Sequence, residues 1–306
     1  MTTAARAQLD GRPLVFGEVL FDQFPDGKQV LGGAPFNVAW HLRGFGLNPL
    51  FVSRVGEDDQ GDDILSRMRD WGMDTRGVQR DNSRPTGRVQ VRIQHDQTSF
   101  DILKDQAYDY IVADPALHLL AEEKAAAIYF GSLIARSPVS RQSLESLRLS
   151  SDAPAFVDVN LRPPWWERDT IDRLVKAASW LKLNEHELAD ILEYPVPASD
   201  ISREGRAFRQ RYGFELLVIT LGAQGAYFIT EDGAERGAPH PVANFVDAVG
   251  AGDAFSSVTL LGLCKGWPLS ATLQRALEFA ALICSNRGAT LSERAPYERL
   301  LQSWAS

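Results

Sequence analysis

Six short apolar runs, each breaking into a polar segment, constrain what this chain can fold into. They are PLVFGEVL (13–20), LNPLFVSRVG (47–56), AAIYFGSL (126–133), PAFVDVN (154–160), WLKLNEHEL (180–188) and FELLVITLG (214–222). Near-continuous apolar runs of this length read as strands buried on both faces. Helical patterns such as DDILSRMRDWG (62–72) lie between them. Strands alternating with helices predict an α/β fold: a mostly parallel sheet with helices on both faces. Ligands in such sheets bind beyond the carboxyl ends of the strands. The polar residues after each run are therefore the candidates for chemistry. The first run, read as one buried strand, is expected to deliver Glu18 and Asp22 to that edge.

One region breaks the pattern. In GRVQVRI (87–93), Val89, Val91 and Ile93 alternate with Arg88, Gln90 and Arg92, and TSFDIL (98–103) returns after a turn expected at His95-Asp96. This is a hairpin with one apolar face. DQFPDGKQVL (22–31) also reads as extended. The two segments, about 22–31 and 86–104, make either a small sheet inserted into the main domain or an edge of the main sheet; the inserted sheet is expected. With no internal repeat or low-complexity tract, residues 1–306 read as a single domain, and PVPAS (195–199) as a loop within it.

The formal net charge of −8 argues against a nucleic-acid partner, which calls for a basic face. It leaves an anionic small molecule open, because a few local donors hold a phosphate even in an acidic protein. Cys264 and Cys284 sit in apolar, helix-like stretches and read as buried thiols rather than a disulfide or metal pair. The first residues, MTTAARAQLDGRP, lack a basic start followed by an apolar core, and no apolar run reaches the roughly eighteen residues of a membrane span. The expectation is a soluble, cytoplasmic protein with no membrane partner.

Two glycine clusters carry the most specific signal. GGAPFNVAWHLRGFG (32–46) opens a helix on two glycines, keeps Asn37 one turn in, and closes at Gly44 and Gly46. Standard nucleotide templates fail. There is no P-loop pattern, and Gly44-Phe45-Gly46 has Pro49 where a dinucleotide fingerprint needs its third glycine. The other cluster is DAVGAGDAFSSVTLLGLCKG (247–266), where Gly250-Ala251-Gly252-Asp253 precedes a long apolar helical run. Small residues there let backbone N–H groups converge at a helix N-terminus and form an anion hole. Asp253 in the first turn reads either as a helix cap or as a general base beside that hole.

Together, GGAPFNVAWHLRGFG and DAVGAGDAF resemble the two signature stretches of the ribokinase-like carbohydrate kinases, and the resemblance runs from GEVLFD (17–22) to NRGAT (286–290). Within that family, GEVLFD, GGAPFNVA, DVNLRPPWW and LKLNEHEL are most similar to fructokinases. The resemblance implies a ribokinase-like three-layer α/β/α domain with a small β-sheet lid over the sugar. It implies an ATP-dependent kinase that transfers the γ-phosphoryl group to a sugar hydroxyl, with fructose the first expectation. On it, Asp22, Gly32, Gly33 and Asn37 bind the sugar, and Asn160 and Arg162 reach the substrate or the transferring group. Asp253 is the base, with Gly250, Ala251 and Gly252 around the γ-phosphoryl. Asn184, Thr220, Gly222, Gly225 and Gly252 meet ATP; Glu187 orders water on Mg²⁺; Asp247, opposite the Gly288-Ala289 loop, holds a monovalent cation such as K⁺.

Read without the resemblance, several of these residues keep a plain structural role. Asn184 and Glu187 have the spacing of a capping box. Thr220 to Gly225 reads as a hairpin turn, Asn37 as an exposed helix residue, Arg162 as half of a surface ion pair, and Asp22 as a loop acid. The chain also departs from the family. Ala248 stands where relatives commonly carry Thr, and LQRALEFAALICSN (273–286) has no Asn before Asn286, where relatives often place one beside adenine. A 2-keto-3-deoxygluconate kinase is the rival within the class, with Arg88, Arg92 and Arg162 as candidates for the substrate carboxylate. The rival from another class is a catalytically silent sugar or nucleotide sensor. The alternating lid edge also admits a homodimer.

Overall fold

The computed structural model describes residues 6–94, 97–242 and 244–305. Its largest element is a nine-stranded sheet. In chain order the strands are β1 (Arg12–Phe16), β4 (Leu50–Gly56), β5 (Val78–Asp81), β8 (Ala125–Gly131), β9 (Ala155–Asp158), β10 (Trp180–Asn184), β11 (Leu216–Thr220), β12 (Ala226–Thr230) and β13 (Gly233–Gly237). The spatial order is β13-β12-β11-β10-β9-β8-β1-β4-β5. Pairing is parallel from β11 to β5, and β12 is antiparallel to both its neighbours.

The period of two along each strand divides the core. Leu14 and Phe16 of β1 enter one apolar layer and Val15 the other. The first layer is closed by α4 (Pro138–Leu149), α5 (Arg168–Lys176), α6 (Glu185–Leu192) and α7 (Ile201–Tyr212), through Leu144, Ile171, Leu188 and Phe208. The second is closed by α1 (Ala34–Gly44), α2 (Asp59–Asp70), α8 (Ala251–Lys265), α9 (Leu269–Cys284) and, at its end, α10 (Ala295–Ala305). Val38, Met68, Leu260, Phe279 and Tyr297 pack there. The remaining helix, α3 (Asp114–Glu122), precedes β8. This is the α/β/α sandwich expected from the alternation.

β1 lies between β4 and β8, so the chain's strand order reverses there. A crevice opens at the carboxyl ends of strands where the order reverses. The run PLVFGEVL does not continue through that point as one strand. It ends at Phe16, and Leu20 opens β2 (Leu20–Gln23) in a different sheet. At the break α1 packs closely on the chain: a side chain on Gly17 would put its Cβ 2.3 Å from Cγ of Pro35. Asp22 is therefore on the small sheet and not at the edge of the main one.

The small sheet has the order β3-β2-β6-β7, with β3 (Gln29–Gly32), β6 (Gly87–Gln94) and β7 (Gln97–Ile102). β2 pairs β6 in parallel, and the other two pairings are antiparallel. It is thus separate from the main sheet, with strands at 20–23, 29–32, 87–94 and 97–102. Val89 and Val91 are buried while Gln90 and Arg92 point outward. The turn expected at His95-Asp96 lies outside the described residues. Cys264 is buried, but Cys284, last residue of α9, is only half-buried; both are free thiols. Among the described residues no helix is long and apolar enough to cross a membrane.

Candidate active site

The two glycine clusters meet at the carboxyl end of β1. Gly33 caps α1 with φ +108°, and a Cβ there would lie 2.6 Å from the carbonyl oxygen of Glu18. Only glycine permits that approach. One turn later Asn37 is buried, and its Nδ2 donates to Oδ2 of Asp253 at 2.7 Å. Asp253 sits in the first turn of α8, which starts after Gly250 at φ +79°. A Cβ on Gly250 would fall 2.4 Å from Cα of Ala289, so the cap rests directly on the 288–291 segment.

The first turn of α8 differs in detail from expectation. The Ala251 amide turns back to the carbonyl of Ala248 at 3.2 Å, closing a turn that the preceding loop forms on itself. The amides of Gly252 and Asp253 have no acceptor among the described residues. Gly250 contributes the left-handed turn, and Gly252 and Asp253 contribute the open donors. Two unengaged N–H groups at a helix N-terminus are able to donate to an anion.

Asp253 stands at that opening. Burial pushes its carboxyl up to about 6, and Asp158 adds to the rise, against the Asn37 hydrogen bond and the charges of Lys182 and Arg162. Beneath it is a buried polar cluster. Lys182 Nζ donates to both oxygens of Asp158 at 2.9 and 2.8 Å, and Asp158 Oδ2 also accepts from Ser256 Oγ at 2.7 Å and Tyr129 OH at 3.1 Å. Burial disfavours the Lys182 ammonium, but Asp158 overrides it and holds the pKa above its ordinary value. Lys182 Nζ lies 3.7 Å from the position of a Cβ on Gly252, directly under the open amides. Sequence reasoning missed Lys182, Ser256 and Tyr129. The available signal was a lysine inside the apolar run WLKLN, beside an aspartate inside FVDVN.

On the side facing the small sheet, Asp22 is half-buried, and burial lifts its carboxyl to about 6 against the pull of Arg162. A Cβ on Gly32 would sit 3.5 Å from Asp22 Oδ2, in ordinary contact with that carboxylate, so Gly32 lies beside it. Glu18 is buried with Oε2 unpartnered, and burial pushes it up to about 7. Its own amide and the charges of Arg162 and Arg136 oppose the shift, while Asp253 adds to it. Asn37 Oδ1 is likewise buried and unpartnered. Asn160 adopts φ +40° after β9, and Arg162 is exposed; among the described residues its hydrogen bond is to the carbonyl of Leu161 at 3.5 Å, and its charge acts on Asp22, Glu18 and Asp253.

On the opposite side, Asn184 and Glu187 do form the capping box. Asn184 Oδ1 accepts from the amides of His186 and Glu187, both at 2.9 Å, and Glu187 Oε2 accepts from the Asn184 amide at 2.9 Å. Glu187 Oε1 also takes the Leu161 amide at 2.8 Å, which ties the loop after β9 to the start of α6. Burial raises the Glu187 pKa. Asn184 is in register with Thr220 on β11, and Gly222 (φ +52°) and Gly225 (φ +94°) shape the hairpin to β12. Asp247 is half-buried, and its Oδ1 accepts from the Val249 amide at 2.9 Å. Among the described residues no group of three or more His, Cys, Asp or Glu side chains is arranged to hold a metal ion.

Known proteins resemble this chain in sequence and fold. The uncharacterized sugar kinase PH1459 of Pyrococcus horikoshii is 30% identical over 288 residues, covering 90% of this chain and 85% of its own. Its crystal structure with ATP superposes with a TM-score of 0.77 at 27% identity, over 90% of this chain and 93% of that one. Fructokinase-1 of Zea mays is 27% identical over 273 residues, 83% of this chain and 84% of the maize protein. The Vibrio cholerae fructokinase, solved with fructose, ADP and calcium, has the same fold at a TM-score of 0.78 and 24% identity, over 95% of this chain and 99% of that one. The family model described as pfkB family carbohydrate kinase matches residues 8–296, and with the helix-terminus site between the two glycine motifs it makes this chain a member of the pfkB family of carbohydrate kinases.

Proposed function

We propose that this kinase transfers the γ-phosphoryl group of ATP to a hydroxyl of fructose, with Asp253 as general base. The carrying observation is the 2.7 Å bond from Asn37 to Asp253, which joins the two glycine motifs at a helix N-terminus with unengaged amides. Asp253 accepts the hydroxyl proton as the sugar oxygen attacks the γ-phosphorus and ADP departs. The Gly252 and Asp253 amides and the helix terminus stabilise charge on the transferring group. Gly250 sets that turn, Ala251 completes it, and Asn37 aims the base. Asp22, Gly32, Gly33 and Asn160 surround the sugar, and Arg162 is free to meet an anionic group. The small sheet acts as a lid that keeps water from the phosphoryl group.

Asn184, Thr220, Gly222 and Gly225 line the nucleotide side. Mg²⁺ fits this donor set as an ion held mainly by phosphates and water, with Glu187 as a partner of its water, and when bound it neutralises phosphate charge. Asp247 and the 288–289 loop are the proposed seat of a monovalent cation. A homodimer would form through the free edges of the lid, where Phe100 is exposed.

Fructose is preferred over a keto-acid on the likeness to named fructokinases, and two of the three arginines that a keto-acid carboxylate would call on are engaged elsewhere, leaving Arg162. Arg88 Nε donates to Gln60 at 2.7 Å, and Arg92 pairs with Asp101 at 2.9 Å. The test is ADP release with ATP and Mg²⁺ on fructose, ribose, 2-keto-3-deoxygluconate and adenosine, for the native chain and Asp253→Asn. Turnover on fructose, lost by a factor of about 10²–10⁴ in the variant, is expected. Turnover on the keto-acid alone overturns the substrate, and near-native turnover by Asp253→Asn overturns the base.

A further inference from the structure

His41 lies one turn beyond Asn37 on α1 and is fully buried. Its ring is held at both nitrogens. Nε2 is 2.9 Å from the carbonyl oxygen of Ala289, and Nδ1 is 2.8 Å from the hydroxyl of Tyr297. A carbonyl only accepts, so Nε2 carries the proton and Nδ1 accepts from Tyr297. Burial lowers the pKa to about 4, so the ring is neutral at pH 7. The preceding residue acts alongside it: Trp40 Nε1 donates to the carbonyl of Leu291 at 2.8 Å. Two successive residues of α1 thus grip the 289–291 segment, and Gly250 rests on Ala289.

We propose that His41 is a positioning residue for phosphoryl transfer, fixing the Ala289 backbone on which the Gly250 turn and the open amides of Gly252 and Asp253 are seated. α1 then controls the reaction centre from two ends. Asn37 holds the carboxylate of Asp253 from the sugar side, and His41 holds the floor under its helix cap. The inference rests on the proposed kinase reading for its rate readout.

Two substitutions separate the ring's two bonds. In His41→Gln the amide nitrogen reaches the place of Nε2 and keeps the donor to Ala289. In His41→Asn the polar group reaches only the place of Nδ1, so the Tyr297 contact stays and the Ala289 donor goes. His41→Asn is expected to lower kcat by about 10–100-fold at unchanged sugar KM, as a misplaced transition-state contact does. His41→Gln is expected within about threefold of the native kcat. Equal losses in both folded variants, or none in His41→Asn, overturn the proposal.

Amide hydrogen exchange of the resting protein needs no turnover. Faster exchange at Ala251 and Ala254, whose amides are held by the carbonyls of Ala248 and Gly250 in that turn, in Asn than in Gln supports the positioning role even where no sugar is phosphorylated, and equal exchange overturns it. Should His41→Asn not fold, ¹⁵N shifts of the native ring decide. The Nε2–H tautomer supports the proposal, and the Nδ1–H tautomer, which cannot donate to Ala289, refutes it.

Discussion

Gly250 and Gly252 stand two residues apart at the same helix terminus, yet alanine is expected to act oppositely at the two sites. Gly250 has φ +79°, where a side chain costs roughly 1–2 kcal/mol. Its Cβ would also lie 2.4 Å from Cα and Cβ of Ala289, so the 288–291 segment must move away from α8. Together these place the destabilisation of Gly250→Ala at about 2–4 kcal/mol. With an unfolding entropy near 2.1 cal/mol/K per residue, a chain of 306 residues loses about 3–6 °C of melting temperature. Gly252 lies within the first turn, where a Cβ meets only Lys182 Nζ at 3.7 Å, an ordinary contact. Gly252→Ala is expected to hold or raise stability by up to about 1 kcal/mol, from helix propensity. Differential scanning calorimetry of both variants reads the contrast, and steady-state kinetics reads the consequence. Gly250→Ala should lower kcat, because the displaced turn carries the open amides. A Gly250→Ala protein with native melting temperature and native kcat would refute the reasoning that ties the turn to Ala289.

Three further outcomes follow from the charges. Asp253 acts as a base only when ionised, so kcat/KM should fall as pH drops through about 6; Asn37→Ala removes a bond that lowers this pKa, and the acid limb should move to higher pH. Glu18 has a folded pKa raised from 4.5 to about 7, so its protonated form supports the fold below pH 4.5 and that support is lost as pH rises through 7. Glu18→Gln should therefore melt above the native protein at pH 8, with the gap closing toward pH 5. Lys182→Met strands the buried Asp158 carboxylate and should cost about 3–5 kcal/mol in urea unfolding, part of which adding Asp158→Asn restores.

Much of this was legible in the chain because buried parallel strands are apolar on both faces. AAAIYFG of β8 is buried throughout, and its run marks the strand almost to the residue. Both glycine motifs were legible as helix starts because only small residues allow those turns. What hydropathy cannot reveal is where a run leaves one sheet for another: PLVFGEVL is apolar but for Glu18, yet β1 ends at Phe16, just before Gly17, where Pro35 leaves no room for a side chain. Nor can it reveal pairing. Lys182 and Asp158 were visible as charges in apolar runs, but their contact requires β9 and β10 to be neighbours. The inward turn of the Ala251 amide depends on the local geometry at Ala248. His41 meets Ala289 across 248 residues, beyond any local pattern.

The bond between Asn37 and Asp253 spans 216 positions, and Tyr297 of the last helix packs within 2.5 Å of where a Cβ on Gly44 would be. The first and last parts of the chain therefore close the reaction centre together. Contacts so distant in sequence form late, since loop closure must precede them. A chain still emerging from the ribosome has sheet and helices to fold but not yet the Asn37–Asp253 contact on which the proposed base depends. Activity gained during refolding should accordingly lag behind the recovery of secondary structure.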